Sequence, residues 1–379
     1  MNDISRQENI VNDIRRFADE EIRPRAGQFD QNEGLPRDII NRMAEKKLLL
    51  ASLPEEYGGL GLDPVHYGFL TEEISKACCS TAGLLTVQCS LVGETLFKWG
   101  SDYLKDKWLP LLASGETIGA FALSEPDVGS NARDVQTNYE PKGDGFILNG
   151  RKKWISFGDI ADVFIVIASC GSVKTAFVVE REMDGLETSP MKGLLARRAS
   201  HVAEIELNDV YVPAENIIGK LGSGFPYVVG TALDNGRYSI AWSGVAIAQE
   251  ALDAMVTYSR SRKQFNKKLC EFQLIQGMIA DAVTKIHAAR ALCIRAGQLR
   301  QQGDSNAVAE TTIAKYFTSK VAMEVATDAV QVHGGNGCSN SFPVERLFRE
   351  AKVLEIIEGT SQIQQQMIAK YGLRQYRRR

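Results

Sequence analysis

The hydrophobic period of this chain changes twice, from helical to strand-like and back. From about Ile4 to Leu112 apolar residues recur at helical spacing, as in Ile10, Ile14 and Phe17, and again in Leu70, Ile74 and Ala77. Pro36, Pro54 and the Gly58-Gly59-Leu60-Gly61 stretch punctuate this region into about five helices. From about Ile118 to Ile218 the apolar runs shorten and become rich in β-branched and aromatic residues: Phe146-Ile147-Leu148, Asp162 to Ala168, Ala176 to Val179 and Val202 to Leu207. Turn signals separate them at Lys142-Gly143-Asp144-Gly145, Asn149-Gly150 and Asp184-Gly185. No long helical pattern intervenes, so these strands form an antiparallel sheet or small barrel and not a βαβ nucleotide fold. From about Tyr227 the pattern is helical again. Ile275, Met278, Ile279, Ala282, Ile286, Ala289, Cys293 and Ala296 hold one stripe long enough for a helix in a bundle. The expected class is α+β: an N-terminal helical domain over 1–117, a middle β-domain over 118–227 and a helical bundle over 228–379.

The charge balance excludes several partners. Across 379 residues, 44 Lys and Arg against 47 Asp and Glu leave a formal net charge of −3, so nothing draws the chain to nucleic acid or an anionic membrane. No apolar run approaches the ~18 residues that a membrane span needs. The start, MNDISRQENIVNDIRRF, lacks the basic and apolar regions of a signal peptide. Seven cysteines, an odd number without CxxC spacing, fit reduced thiols in the cytoplasm better than a disulfide framework. Four scattered histidines give no metal cluster, and no metal is expected.

Common catalytic motifs are missing. Gly335-Asn336-Gly337-Cys338-Ser339-Asn340 begins like a dinucleotide fingerprint but ends in Asn and follows no strand. There is no P-loop and no HExxH, and Gly222-Ser223-Gly224 lacks the wider frame of a hydrolase elbow. Four longer strings remain. In Phe121-Ala-Leu-Ser-Glu-Pro-Asp-Val-Gly-Ser-Asn131 a Gly- and Ser-bearing turn can present N–H groups to a pyrophosphate, or be a purely structural turn. In Lys153-Trp154-Ile155-Ser156 an indole beside a hydroxyl could wall a flat ring system, although alone Trp154 reads first as a core residue. Arg260-Ser-Arg-Lys-Gln-Phe265 reads as a solvated helix end. In Glu355-Ile-Ile-Glu358-Gly-Thr-Ser361-Gln-Ile-Gln364, Ser361 and Gln364 form a capping box that starts a helix with Ile363, Met367 and Ile368 on its apolar face. Glu358 then precedes a helix N-terminus, either as a capping carboxylate or as a partly buried one whose raised pKa suits a general base.

Taken together, LSEPDVGSN, KKWIS, RKQF, QVHGGNG and IIEGTSQIQ resemble, in order and over essentially the whole chain, the motifs of the acyl-CoA dehydrogenase flavoproteins. The resemblance implies the same three-domain order, with a four-helix bundle at the C-terminus, and a homotetramer (a dimer of dimers) holding FAD at subunit interfaces. By similarity Glu358 is the catalytic base. Some members carry that Glu in an LDxER string, which here reads Leu233-Asp234-Asn235-Gly236-Arg237, with Gly at the critical place. The resemblance assigns Leu123, Ser124, Gly129 and Ser130 to the flavin-side turn and Trp154 and Ser156 to the isoalloxazine. Arg262, Phe265, Gln273, Gln331 and Gly335 resemble residues that reach a neighbouring subunit's FAD, and Thr360 and Gln362 also match cofactor positions. Ser130, Asp234, Arg237 and Gly359 match positions that face the thioester.

The implied reaction is α,β-dehydrogenation of an acyl thioester: the base takes the α-proton while the β-hydrogen leaves as hydride to flavin N5. An electron-transferring flavoprotein is the usual electron acceptor. Asn131, Phe157, Asn266, Cys338 and the loop Ala196 to Val202 depart from the family pattern without touching the base. That loop, Tyr238 to Trp242 and the EIIEGTSQIQ string are also similar to members that oxidise acyl groups on an acyl carrier protein in polyketide extender-unit biosynthesis. Arg374, Arg377, Arg378 and Arg379 form a basic tail that suits an acidic carrier protein, or solvent. A flavin oxidase or monooxygenase on the same fold, and a non-catalytic scaffold, are the competing readings. Thr86, Gln88 and Cys89 are the residues whose packing sets acyl length.

Overall fold

The computed structural model describes residues 3–376. Five continuous helical stretches fill the first region. α1 (Asp3–Phe17) runs through a π-turn and a 3-10 turn into α2 (Ala26–Asn32); α3 (Arg37–Glu45) and α4 (Pro64–Ala77) follow. α5 (Cys79–Leu85) continues through a π-helical segment (Thr86–Gly93) into α6 (Glu94–Trp99), and α7 (Asp102–Ser114) ends the region. Asp63 caps α4 by accepting from the N–H groups of Val65 and His66, with Pro64 in the first turn where its missing N–H costs nothing.

The middle region is one eight-stranded sheet: β1 (Gly119–Ala122), β2 (Asn138–Lys142), β3 (Gly145–Ile155), β4 (Val163–Cys170), β5 (Val173–Glu180), β6 (Leu186–Pro190), β7 (Ala203–Pro213) and β8 (Ile217–Ile218). The main path runs β6-β7-β3-β2-β4-β5-β8, and β1 pairs with β4. Most pairs are antiparallel as expected, but β1 lies parallel to β4 and β2 meets β4 through one parallel pair, so the sheet is mixed. Asn149-Gly150 is not a turn. It lies within β3, where the register against β7 slips between Leu148 and Gly150 and the Asn149 amide pairs with Asp209. The dipeptide most typical of hairpin turns here makes a bulge.

Helices return with α8 (Gly230–Ser261), entered through a π-helical turn. The short hairpin β9 (Lys263–Gln264) and β10 (Lys267–Lys268) precedes α9 (Gln273–Gln301), α10 (Ala307–His333), α11 (Val344–Leu354) and α12 (Ser361–Gln375). The predicted α9 stripe faces inward: Ala282, Ile286, Ala289, Cys293 and Ala296 are buried. One apolar core joins the N-terminal helices to the sheet and a second fills the bundle. Hydroxyl pairs stitch the two, Ser75 to Ser243 at 2.9 Å and Thr86 to Ser239 at 2.7 Å, so α8 sits in a fixed register against α4 and the π-helical segment after α5.

α12 begins one residue earlier than the capping box implies. Thr360, not Ser361, is the cap, accepting from the Ile363 N–H. Gln364 is the buried residue of this helix, while Ile363, Met367 and Ile368 stay partly exposed. Arg374 lies exposed near the end of α12, and Arg377, Arg378 and Arg379 fall outside the described residues.

Candidate active site

The turn between α11 and α12 is held from three sides. The Glu358 carbonyl accepts from Arg237 Nε at 3.2 Å and Gln364 Nε2 at 2.9 Å. The Gly359 carbonyl accepts from Lys315 Nζ at 2.7 Å and Gln364 Nε2 at 3.0 Å. Both residues are left-handed, Glu358 at φ 54° and Gly359 at φ 90°. Glycine suits the second position, and a non-glycine residue persists at the first because its surroundings dictate it. Gln364, read from sequence as half of a capping box, is spent on this turn.

Glu358 keeps some surface, but its Oε2 is sealed from solvent and has no hydrogen-bond partner. Burial pushes the carboxyl up to about 7 against the opposing pull of the Arg237, Lys315 and Arg197 charges. A carboxylate poised there takes and returns protons near neutrality. Directly opposite lies Gly236: a Cβ built on it would stand 2.5 Å from Glu358 Oε2 and 2.8 Å from Leu91 Cδ2. Any side chain at 236 would have to displace the Glu358 carboxyl or Leu91 from this position.

Lys315 and Arg197 escaped the sequence reading. Lys315 is fully buried, and burial pulls its ammonium down to about 8. Its signal was a charge at a stripe position of α10, since Thr311, Ala314, Lys315 and Thr318 share the buried face. Arg197 sits in an irregular loop where no period marks a buried cation.

The strings at 121–131 and 153–156 meet. The Lys153 N–H donates to the Ser124 carbonyl at 2.9 Å, joining the end of β3 to the 122–131 turn. Beneath them Lys152 is wholly buried, with Nζ 2.7 Å from both Glu125 Oε1 and the Ile167 carbonyl. Glu125 in turn accepts from the N–H groups of Gln136 and Thr137. Burial alone would raise the Glu125 carboxyl, but Lys152 and these donors leave it lowered, hence ionised. This pair stiffens the turn that carries Leu123 (buried), Ser124 (half-buried), and Gly129 and Ser130 (exposed), beside the half-buried Ser156 at the end of β3. A second bulge in β3, between Lys152 and Ile155, puts Trp154 at φ 63° and turns its indole outward. Trp154 is 54% exposed, so the core-Trp alternative is wrong.

Other assigned residues lie elsewhere. Arg262 and Phe265 occupy the hairpin after α8, Gln273 opens α9, and Gln331 and Gly335 flank the end of α10, all on the surface. The stacked rings of Tyr258 and His333 and the Asn336–Tyr258 hydrogen bond bind these two chain ends into one end of the bundle. Phe265 is 88% exposed there. Thr360 is the α12 cap and Gln362 is exposed. Asp234 does not point free: its Oδ2 pairs with Arg300 at 2.6 Å while Oδ1 is buried without a partner. It helps line a cavity of about 760 Å³ with Ser90, Glu94, Tyr238 and Arg300. Gln88 is structural, its amide joining the carbonyls of Leu112 and Thr117 to the N–H of Gly119.

Family models match along the chain: the acyl-CoA dehydrogenase N-terminal domain over 5–116, the middle domain over 120–210 and the C-terminal domain over 222–373. The chain belongs to the acyl-CoA dehydrogenase family. It is 37% identical to the short-chain specific acyl-CoA dehydrogenase of Clostridium acetobutylicum, over 97% of this chain and 98% of that one. Butyryl-CoA dehydrogenase from Megasphaera elsdenii superposes with a TM-score of 0.93 at 33% identity, over 98% of this chain and 99% of the other. A chain from a study of the electron transferring flavoprotein of Acidaminococcus fermentans gives 0.94 at 37% identity, over 97% and 98%. This acyl-CoA dehydrogenase is thus an FAD-dependent oxidoreductase that removes hydrogen from the CH–CH bond of acyl-CoA thioesters. The residues present fit the cofactor: an outward-facing tryptophan at positive φ beside a rigid Gly- and Ser-bearing turn is the kind of surface a flat ring and pyrophosphate cover. Among the described residues no helix is long and apolar enough to cross a membrane.

Proposed function

We propose that the enzyme dehydrogenates short-chain acyl-CoA thioesters, with Glu358 as the base that removes the α-proton. The observation that carries this reading is the sealed, unpartnered Oε2 of Glu358, raised to about 7 and facing the bare α-carbon of Gly236. Arg237, Lys315 and Gln364 hold the backbone of the 358–359 turn, so the carboxyl and the Glu358 N–H keep one orientation toward the thioester. The N–H polarises the thioester carbonyl, which acidifies the α-carbon. Bound FAD supplies the hydride acceptor.

Leu123, Ser124, Gly129, Ser130, Trp154 and Ser156, with Thr360 and Gln362, form one face of the flavin site in this reading. Arg262, Phe265, Gln273, Gln331 and Gly335 serve the FAD of a neighbouring subunit in a homotetramer, which their exposure supports. Ser130, Asp234, Arg237 and Gly359 face the thioester, with domain limits at 117/118 and 227/228. Relatives at 33–37% identity named for CoA substrates favour CoA over an acyl carrier protein and over polyketide biosynthesis, against one solved neighbour at 26% identity named as a prolyl acyl carrier protein oxidase. The Acidaminococcus likeness supports an electron-transferring flavoprotein as acceptor. A cytoplasmic setting suits seven free thiols.

The test is anaerobic titration of the yellow enzyme with butyryl-CoA and with butyryl-carrier protein. Bleaching of the flavin by the CoA ester is expected. No bleaching by any acyl thioester, or reduction only by the carrier-bound form, overturns the reading.

A further inference from the structure

The cavity of about 760 Å³ lies on the side of α8 that faces away from the base. Thr231 and Tyr238 line it, whereas Gly236 and Arg237 on the same helix turn to Glu358. Across from α8, Ser90 and Glu94 line it, whereas Leu91 between them turns to the Gly236 position. Its size is that of a small-molecule site, and the exposed Tyr227 and Val308 stand on its lining where solvent reaches it.

The lining is one positive charge short, with Lys98 and Arg300 against Glu94, Asp234 and Asp304. Arg300 is committed to Asp234, Asn235 and Thr311. Asp304 accepts from the N–H and the amide of Asn306. Lys98 is exposed and lies over the Trp99 ring, 5.4 Å from its centroid. Glu94 is the acid left over. It is half-buried and accepts from Ser52 Oγ through Oε1, while among the described residues Oε2 carries no hydrogen bond and no basic side chain pairs with the carboxylate. Burial raises the Tyr67 phenol and the Cys89 thiol, and the Glu94 charge adds to both, so this carboxylate faces inward.

A half-buried carboxylate without a counter-cation is unfavourable unless something supplies one. We propose that this cavity binds a primary alkyl- or arylalkylammonium ion, with the charged head on Glu94 and the apolar body against Leu62, Trp99 and Tyr238. An ammonium has three donors and no acceptor, which suits Glu94 Oε2 and the hydroxyl oxygens of Ser52 and Ser90. Aromatic walls favour a cation further. A carboxylate of the same size confronts Glu94, and an alcohol leaves its charge unanswered. The site does not depend on the role of Glu358.

Calorimetric titration of the holoenzyme with phenethylamine, 2-phenylethanol and 3-phenylpropionate tests this. The amine should bind saturably and about tenfold or more tightly than the alcohol, the worth of a charge-assisted hydrogen bond. Glu94→Gln, which keeps an acceptor for Ser52, should remove that difference. Lys98→Met takes away a repelling charge and should tighten the amine by about threefold. Because the two variants move affinity in opposite directions, a folding defect imitates neither pattern. Crotonyl-CoA should leave amine binding unchanged. No saturable binding at millimolar amine, equal binding of the alcohol, or an unaltered amine affinity in Glu94→Gln overturns the proposal. Displacement of the amine by crotonyl-CoA also overturns it, because the cavity would then belong to the path of the thioester.

Discussion

Lys315 Nζ donates a 2.7 Å hydrogen bond to the carbonyl oxygen of Gly359, the residue after Glu358. A buried cation thus fixes the backbone beside Glu358, the proposed base, and also favours its ionised form. Lys315→Met should raise the pH midpoint of flavin reduction by about one unit, lowering the rate at neutrality about fivefold, with recovery at alkaline pH. Stopped-flow rates across pH decide it. An unmoved midpoint would show that Lys315 serves packing alone.

Glu358→Gln should leave a yellow, folded protein whose flavin reduction falls by about three orders of magnitude or more, the loss of a general base together with its placement. Ordinary turnover in this variant would remove Glu358 from the mechanism.

The same substitution has a pH-dependent effect on stability. The folded carboxyl titrates at about 7, above its ordinary value of 4.5, so the folded state binds the proton more tightly than the unfolded chain. That preference is fully present below 4.5 and is lost as pH rises through about 7. Glu358→Gln should therefore melt together with wild type in acid and above it in alkali. Thermal denaturation of the two proteins at both extremes tests this, and parallel curves at all pH values would contradict it.

Gly236→Ala places a methyl 2.5 Å from Glu358 Oε2, inside contact distance. The carboxyl or the turn must shift, and a displacement of about 1 Å in a reacting group costs about a hundredfold in rate. FAD content should be unchanged, which separates this effect from a cofactor defect. A variant at wild-type rate would mean that the turn yields freely.

Lys152→Met strands Glu125 in the interior and should cost about 3–5 kcal/mol in urea unfolding. Adding Glu125→Gln should restore part of this. If the single variant unfolds like wild type, water reaches the pair and the turn is looser than its geometry implies.

The architecture was legible because period is local. The apolar spacing of α4 and α9 and the β-branched runs of β4 and β5 announce themselves within a few residues. Asn149-Gly150 misled because its local turn preference yields to pairing with Asp209 on a neighbouring strand, which no short window contains. Glu358 could be singled out from its string, whereas Lys315 lies 43 residues earlier and meets it only through the packing of α10 against the turn. Arg197 is less visible still: it packs against Gly83 and Glu350, each more than a hundred residues from it along the chain. Trp154 was identified, but its outward pose comes from a bulge defined by partners on β7.

The bare α-carbon of Gly236 also bears on how such enzymes diverge. The volume beside it is already filled by the carboxyl from position 358, so the two candidate origins of a base exclude one another in space. A side chain introduced at 236 meets the 358 carboxyl first, so the occupancy of one position constrains what the other can hold.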